Sequence, residues 1–96
     1  MSDHLHRQQQ GQVVYFMQRS DGQIKIGTSR DAALRRSQVS ELHGRIKILG
    51  AELGGYDRET ELHEQFAASR VNNSEWFQPT DDLLDYIRRL DPIMAF

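Results

Sequence analysis

Ninety-six residues leave room for one hydrophobic core and exclude a second. With 38% hydrophobic and 27% charged residues the chain reads as globular, and no apolar run approaches the ~20 residues that span a bilayer. Cysteine is absent, which excludes disulfide staples and thiolate metal sites and, with no apolar leader at the start, sets the expectation of a cytoplasmic protein without a membrane partner.

The formal charge is −2, which by itself argues against a duplex-binding protein, but the charge is unevenly placed. Residues 19–47 hold seven cations against three acids, a local charge of +4, whereas residues 51–96 hold four cations against ten acids, a local charge of −6.

Residues 1–11 (MSDHLHRQQQG) are polar and aperiodic and are expected to form an N-terminal tail ahead of a single domain over 12–96. His4 and His6 are read as solvated side chains rather than metal ligands. Val13 to Gln18 is aromatic and β-branched and predicts a strand. Ser20-Asp21-Gly22 signals a turn, and Ile24-Lys25-Ile26 returns as the second strand of a hairpin. Asp31 is a candidate cap for a helix from Asp31 to His43, closed by Gly44. Ile46 to about Leu53 predicts a third strand, ended by Gly54-Gly55.

Asp57 to Arg70 predicts a second helix, Asn72-Asn73 a loop, and Glu75-Trp76-Phe77 a short buried segment. After Pro79, a third helix is expected with Thr80 as N-cap, acids in its first turn, Arg88 and Arg89 in its last and a stop at Asp91-Pro92. The expected fold is α+β, a small three-stranded antiparallel sheet flanked by helices.

Two charged residues fall where the helical period asks for apolar ones. In the second helix Leu62 and Phe66 mark the face turned to the sheet, and Glu59 lies one turn earlier on the same stripe, bordered by His63; Arg58, Glu61 and Glu64 are expected to point to water. In the first helix Ala32, Val39 and Leu42 mark a stripe that takes in Arg35, with Arg36 at its edge. A carboxylate turned to a sheet needs a cation or a hydrogen-bonding partner. Two readings stay open on periodicity alone: an Arg35–Glu59 ion pair, or a site.

Val14-Tyr15-Phe16 followed by Lys25-Ile26-Gly27 resembles the two short motifs of the GIY-YIG nuclease domain. Glu59-Thr60-Glu61-Leu62-His63, Phe66, Arg70 and Glu75-Trp76-Phe77 resemble the further elements of the branch with KIG as its second motif. The resemblance covers residues 12 to 90. It implies a metal-dependent endonuclease acting on DNA, with single-stranded DNA one candidate form. Tyr15, Lys25, Arg35 and Glu59 are then the expected catalytic residues, Glu59 the ligand of Mg²⁺ (or Mn²⁺), and Gly27, Arg30, Arg36 and His63 the expected substrate contacts. Gly27 would let the substrate approach the backbone.

The residue types suit the chemistry. A hard divalent cation takes carboxylate oxygen, an arginine clamps a phosphate oxygen, and a cation beside a phenol favours the phenolate that positions or deprotonates water. The alternatives are a catalytically silent nucleic-acid-binding module of the same fold and a protein-interaction domain using the acidic C-terminal half, as monomer or homodimer.

The hairpin register separates these readings. A two-residue loop sets Lys25 opposite Gln18, on the face away from Tyr15. A three-residue loop sets Lys25 opposite Met17 and Gly27 opposite Tyr15, all on one face. The nuclease reading predicts the three-residue loop or a bulge.

Overall fold

The computed structural model describes residues 11–90, so the tail with His4 and His6, and the Asp91-Pro92 stop, lie outside the described residues. Four strands form one sheet in the order β3-β1-β2-β4: β1 (Val13–Arg19), β2 (Ile24–Ser29), β3 (Ile46–Leu53) and β4 (Trp76–Phe77). Three helices flank it: α1 (Ala32–His43), α2 (Tyr56–Gln65) and α3 (Asp81–Arg88). All strand pairings are antiparallel, and the fold is α+β.

The hairpin takes the three-residue loop. Arg19 N–H donates to Gln23 O at 3.0 Å across Ser20-Asp21-Gly22, and Gly22, at φ 96°, returns its N–H to Arg19 O at 2.9 Å. That left-handed conformation is cheap only for glycine. The register follows, with Tyr15 opposite Gly27 and Met17 opposite Lys25.

Strand alternation sends β1 side chains to two separate packing layers. Val14 and Phe16 join Ile24, Ile26 and Phe77 beneath Leu62 and Phe66 of α2's stripe and Leu83 and Ile87 of α3. On the other face Val13, Tyr15 and Met17 meet α1 through Ala32 and Val39. The sequence polarity thus becomes a polarity of the fold, with cation-rich α1 on one face and acid-rich α2 and α3 on the other.

Four local expectations need correction. The sheet has a fourth strand, because Trp76-Phe77 pairs with Lys25 and Ile24 of β2; two residues are too few to display a strand period. The second helix stops at Gln65 and yields to a 3₁₀ turn, Ala67–Ser69, since the chain must reverse for Arg70 to bridge Phe77. Leu42 is 82% exposed, so α1 buries only Ala32 and Val39. Arg58 points outward, with its side chain 34% exposed, but it is not left to water. It reaches Glu52 at 2.9 Å, Glu61 at 2.8 Å and Tyr86 Oη at 2.8 Å, and Tyr86 also donates to Glu52.

The helix ends otherwise follow their signals. Asp31 accepts from Leu34 N–H at 3.0 Å as N-cap of α1, and Gly44 closes that helix at φ 80°. Thr80 stands at the N-cap of α3 without a side-chain cap bond.

Candidate active site

The site grows from the far end of β2, where β4 stops. Trp76 pairs with Lys25 and Glu75 O accepts the Ile26 N–H at 3.1 Å; beyond that point β2 has no outer neighbour among the described strands. Side chains from both faces of the sheet meet at this edge.

From the α1 face come Tyr15 and Lys25. The Tyr15 ring lies across Gly27: a Cβ there would stand 2.5 Å from Tyr15 Oη and 2.7 Å from its ring carbon. Gly27 therefore makes room for the tyrosine and not, as expected from the sequence, for a substrate. Tyr15 is 1% exposed. Lys25 Nζ donates to Tyr15 Oη at 3.2 Å and to Glu75 Oε1 at 2.8 Å. Burial alone would push the Lys25 ammonium down, but the Glu75 hydrogen bond and the contact with Tyr15 outweigh it and raise it above the usual lysine value. Lys25 is a fixed cation at neutral pH. An ammonium has three donors; two are engaged and one remains.

From the opposite face comes α2. Glu59 lies one turn before Leu62, as its period requires, with its side chain 13% exposed and 3.5 Å from His63 Nε2. Burial pushes the Glu59 carboxyl above its usual range; His63 pulls it down, and Glu75 pushes it further up, while a hydrogen bond from Thr28 and the charge of Lys25 oppose. His63 Nε2 faces Ile26 O at 3.0 Å and its ring packs edge-on to Phe77, so His63 ties α2 to β2 as well as bordering Glu59. Glu59, His63 and Glu75 line an open cleft of about 520 Å³ together with Glu64 and Arg70.

Glu75 is the residue that sequence reasoning missed. It read as part of a buried segment, yet its side chain is half exposed and links Lys25 to the Glu59 cleft. The signal was the β2–β4 pairing, which sets Glu75 one residue beyond the partner of Lys25. Its loop is held by Arg70, whose Nε donates to Ser74 O at 2.6 Å and Nη2 to Asn73 O at 3.3 Å.

The arginines expected in the site are elsewhere. Arg35 is exposed on α1 and forms no ion pair with Glu59; the Glu59 partner within 4.0 Å is His63. The predicted stripe failed at Arg35 because α1 buries only two residues, a full seven apart, against the sheet. Arg36 lines a groove with Arg45 and Lys47 of the β3 region. Arg30 lies in a neighbouring cleft with Tyr56, Asp57 and Arg58.

The donor set bears on a divalent cation. Among the described residues no group of three or more His, Asp or Glu side chains converges as a protein cage. The residues fit a different arrangement: one largely buried carboxylate, Glu59, raised by burial and left without an arginine partner, in a cleft where Glu64 and Glu75 add negative charge. A hard cation that keeps most of its waters binds through one or two carboxylates.

No helix of the described residues is long and apolar enough to cross a membrane. No curated protein and no solved structure matches the chain. One family model does, that of the T5orf172 domain, over residues 12–91. This overturns the resemblance to the GIY-YIG domain, which rested on short separated motifs, whereas the T5orf172 model matches residues 12–91 as one pattern. Membership carries a nucleic-acid-related role, in a family often related to nucleases. By a match that runs from the residue before β1 to beyond α3, the chain belongs to the T5orf172 domain family.

Proposed function

We propose that this chain is a nuclease that hydrolyses a phosphodiester bond of DNA with the help of a divalent cation. The observation that carries the reading is the Tyr15–Lys25–Glu75 chain of hydrogen bonds ending beside the buried Glu59 carboxylate. A buried carboxylate kept without a full counter-charge costs folding free energy, and sites that hold such a group are candidates for chemistry.

Glu59 would hold Mg²⁺ or Mn²⁺. When bound, such a cation neutralises the acidic cleft and lowers the barrier to charge build-up on the phosphate. The chain's own residues do the rest. The third Lys25 donor meets a non-bridging phosphate oxygen. Tyr15 Oη, held by Lys25, accepts a hydrogen bond from the attacking water and orients it; as the new oxygen–phosphorus bond forms, the water's proton passes to solvent, the bond from phosphorus to the ester oxygen breaks, and that oxygen takes a proton from solvent. Lys25 balances the negative charge that gathers on the phosphate. Arg70 positions Glu75, and Glu75 positions Lys25.

The test is incubation with labelled single- and double-stranded DNA, with Mg²⁺ or Mn²⁺ and with chelator, for the wild type and Glu59→Ala. Cleavage is expected with metal only and in the wild type only. Cleavage that persists in Glu59→Ala sinks the assignment. Salt-sensitive binding with no cleavage under any condition points to the silent binding module.

A further inference from the structure

A second charged feature lies on the opposite edge of the sheet. β3 is the outer strand there. Arg36 of α1, with Arg45 and Lys47, lines a groove of about 650 Å³ shared with Ala33, Ile46 and Ile48. Arg45 and Lys47 also line an adjoining groove of about 360 Å³ that reaches Gln18, Arg19 and Gly22 at the hairpin tip. Because the two share both cations, they form one path along the edge.

What marks the cations in this path is that three without a partner are gathered in one groove, whereas Arg35 and Arg89, also without one among the described residues, stand outside it. Arg19, Arg58 and Arg88 each pair with a carboxylate, and Arg70 with backbone carbonyls. Arg36, Arg45 and Lys47 make no hydrogen bond or ion pair with any described residue. Charges on an edge strand also guard against edge-to-edge pairing. That accounts for Lys47 but not for Arg36, which sits on a helix. Like charges gathered in one groove repel each other until a polyanion covers them.

We propose that this groove binds the phosphate backbone of a nucleic-acid strand, as a docking surface separate from the cleft of Glu59. The proposal rests on the nucleic-acid reading above and adds where the strand runs. β3 and β2 are two strand spacings apart, roughly 10 Å, so a strand that passes around α1 can occupy the groove and present a further phosphate to Lys25. The cations contribute by releasing condensed counterions and carry no base readout.

The test uses the full chain in chelator and follows the anisotropy of a labelled oligonucleotide between about 50 and 200 mM salt. Replacing Arg36, Arg45 and Lys47 together by Gln is expected to weaken binding about tenfold or more and to flatten the log–log salt slope by about 2 for a single strand or about 3 for a duplex. All three side chains are solvent-facing, so the thermal midpoint should hold. A control pair, Arg88→Gln with Arg89→Gln on the α3 side, is expected to bind as the wild type does. Unchanged affinity and slope in the triple variant, an equal loss in the control pair, or equally tight binding of polyglutamate each overturn the proposal. A small chromogenic phosphodiester, too short to reach the groove, separates this proposal from the nuclease reading. Its hydrolysis should depend on Glu59 and ignore the groove. A chain that binds strands through the groove yet hydrolyses nothing keeps the docking surface and loses the nuclease.

Discussion

Two clusters in this fold are built from the same parts, a tyrosine hydroxyl, a cation and carboxylates, and they end in opposite states. Around Arg58, the guanidinium meets Glu52, Glu61 and Tyr86, and Tyr86 completes the ring to Glu52. Those carboxylates, led by Glu52, push the Arg58 guanidinium further up, while burial first and Glu52 next raise the Tyr86 phenol. The ring joins β3, α2 and α3 and satisfies its own charges. Around Lys25, the ammonium meets Tyr15 and Glu75 and keeps a donor in hand, and Glu59 stays largely buried, hydrogen-bonded by Thr28 and within ion-pair distance of His63 alone among the described residues. A closed cluster spends its charges on joining elements. An open one holds charge ready for something that is not part of the chain.

The sharpest way to break that contrast is at Glu59. If Glu59 holds a cation for phosphodiester hydrolysis, Glu59→Gln should lower the rate by about 10²–10³-fold. Divalent cation should raise the thermal midpoint of the wild type and not of the variant, because only a bound ligand shifts the folding equilibrium. A variant as active as the wild type would place Glu59 with the structural carboxylates. The two hydroxyls offer a paired test. Tyr15→Phe should cut the rate by about 10–10²-fold, whereas Tyr86→Phe should leave the rate alone; each should cost about 1 kcal/mol for the hydrogen bonds lost.

Packing should respond at Gly27. An alanine there drives a methyl group into the Tyr15 hydroxyl and ring, and overpacking of this kind costs about 1–3 kcal/mol. Because the atom displaced is the hydroxyl that Lys25 holds, activity should fall with stability. An alanine that leaves both untouched would show that the hydroxyl's position does not matter. Arg58→Ala should do the reverse of Glu59→Gln. Stability should drop by about 1–3 kcal/mol as Glu52 loses its donor, while hydrolysis per folded molecule stays constant; urea unfolding beside rates at low temperature measures both.

The contrast also sets how much could be read from the sequence. Glu59 was legible because a helix has a period, and a carboxylate on the apolar stripe breaks it. Tyr15 and Lys25 on one face were legible as a condition: the Ser20-Asp21-Gly22 turn fixed the choice between two registers once its length was known. Arg58 was misread because its direction on the helix did point outward, and no local rule reports that β3 and α3 would supply Glu52 and Tyr86 at that spot. Arg35 failed for the converse reason. A stripe of apolar residues predicts burial only if the neighbouring surface is long enough, and the sheet buries α1 at Ala32 and Val39 alone. Glu75 depended on a two-residue strand that carries no period of its own. Local rules reached the residues whose environment comes from their own element and missed those completed by a distant one.

The smallest expected effect is one of pH, and it distinguishes the two clusters by sign. Burial holds the Glu59 carboxyl above its usual range in the folded chain. The folded state therefore binds that proton more tightly than the unfolded state, and stability falls as pH rises through the interval between the two values. Below the ordinary glutamate value of about 4.3 both states are protonated, and Glu59→Gln should match the wild type. The variant should then become the more stable protein as pH rises through the interval, with a constant advantage above it. In chelator the gap should stay below the ~4–8 °C that 1 kcal/mol gives in a domain of this size. Arg58 shows no such crossing, since a guanidinium raised further by its carboxylates stays charged throughout. Arg58→Ala should lie below the wild type at every pH from 5 to 8, roughly the range of maximal stability. A Glu59→Gln chain that melts below the wild type at neutral pH would mean that the carboxylate is fully compensated within the fold, and the open cluster would then be closed after all.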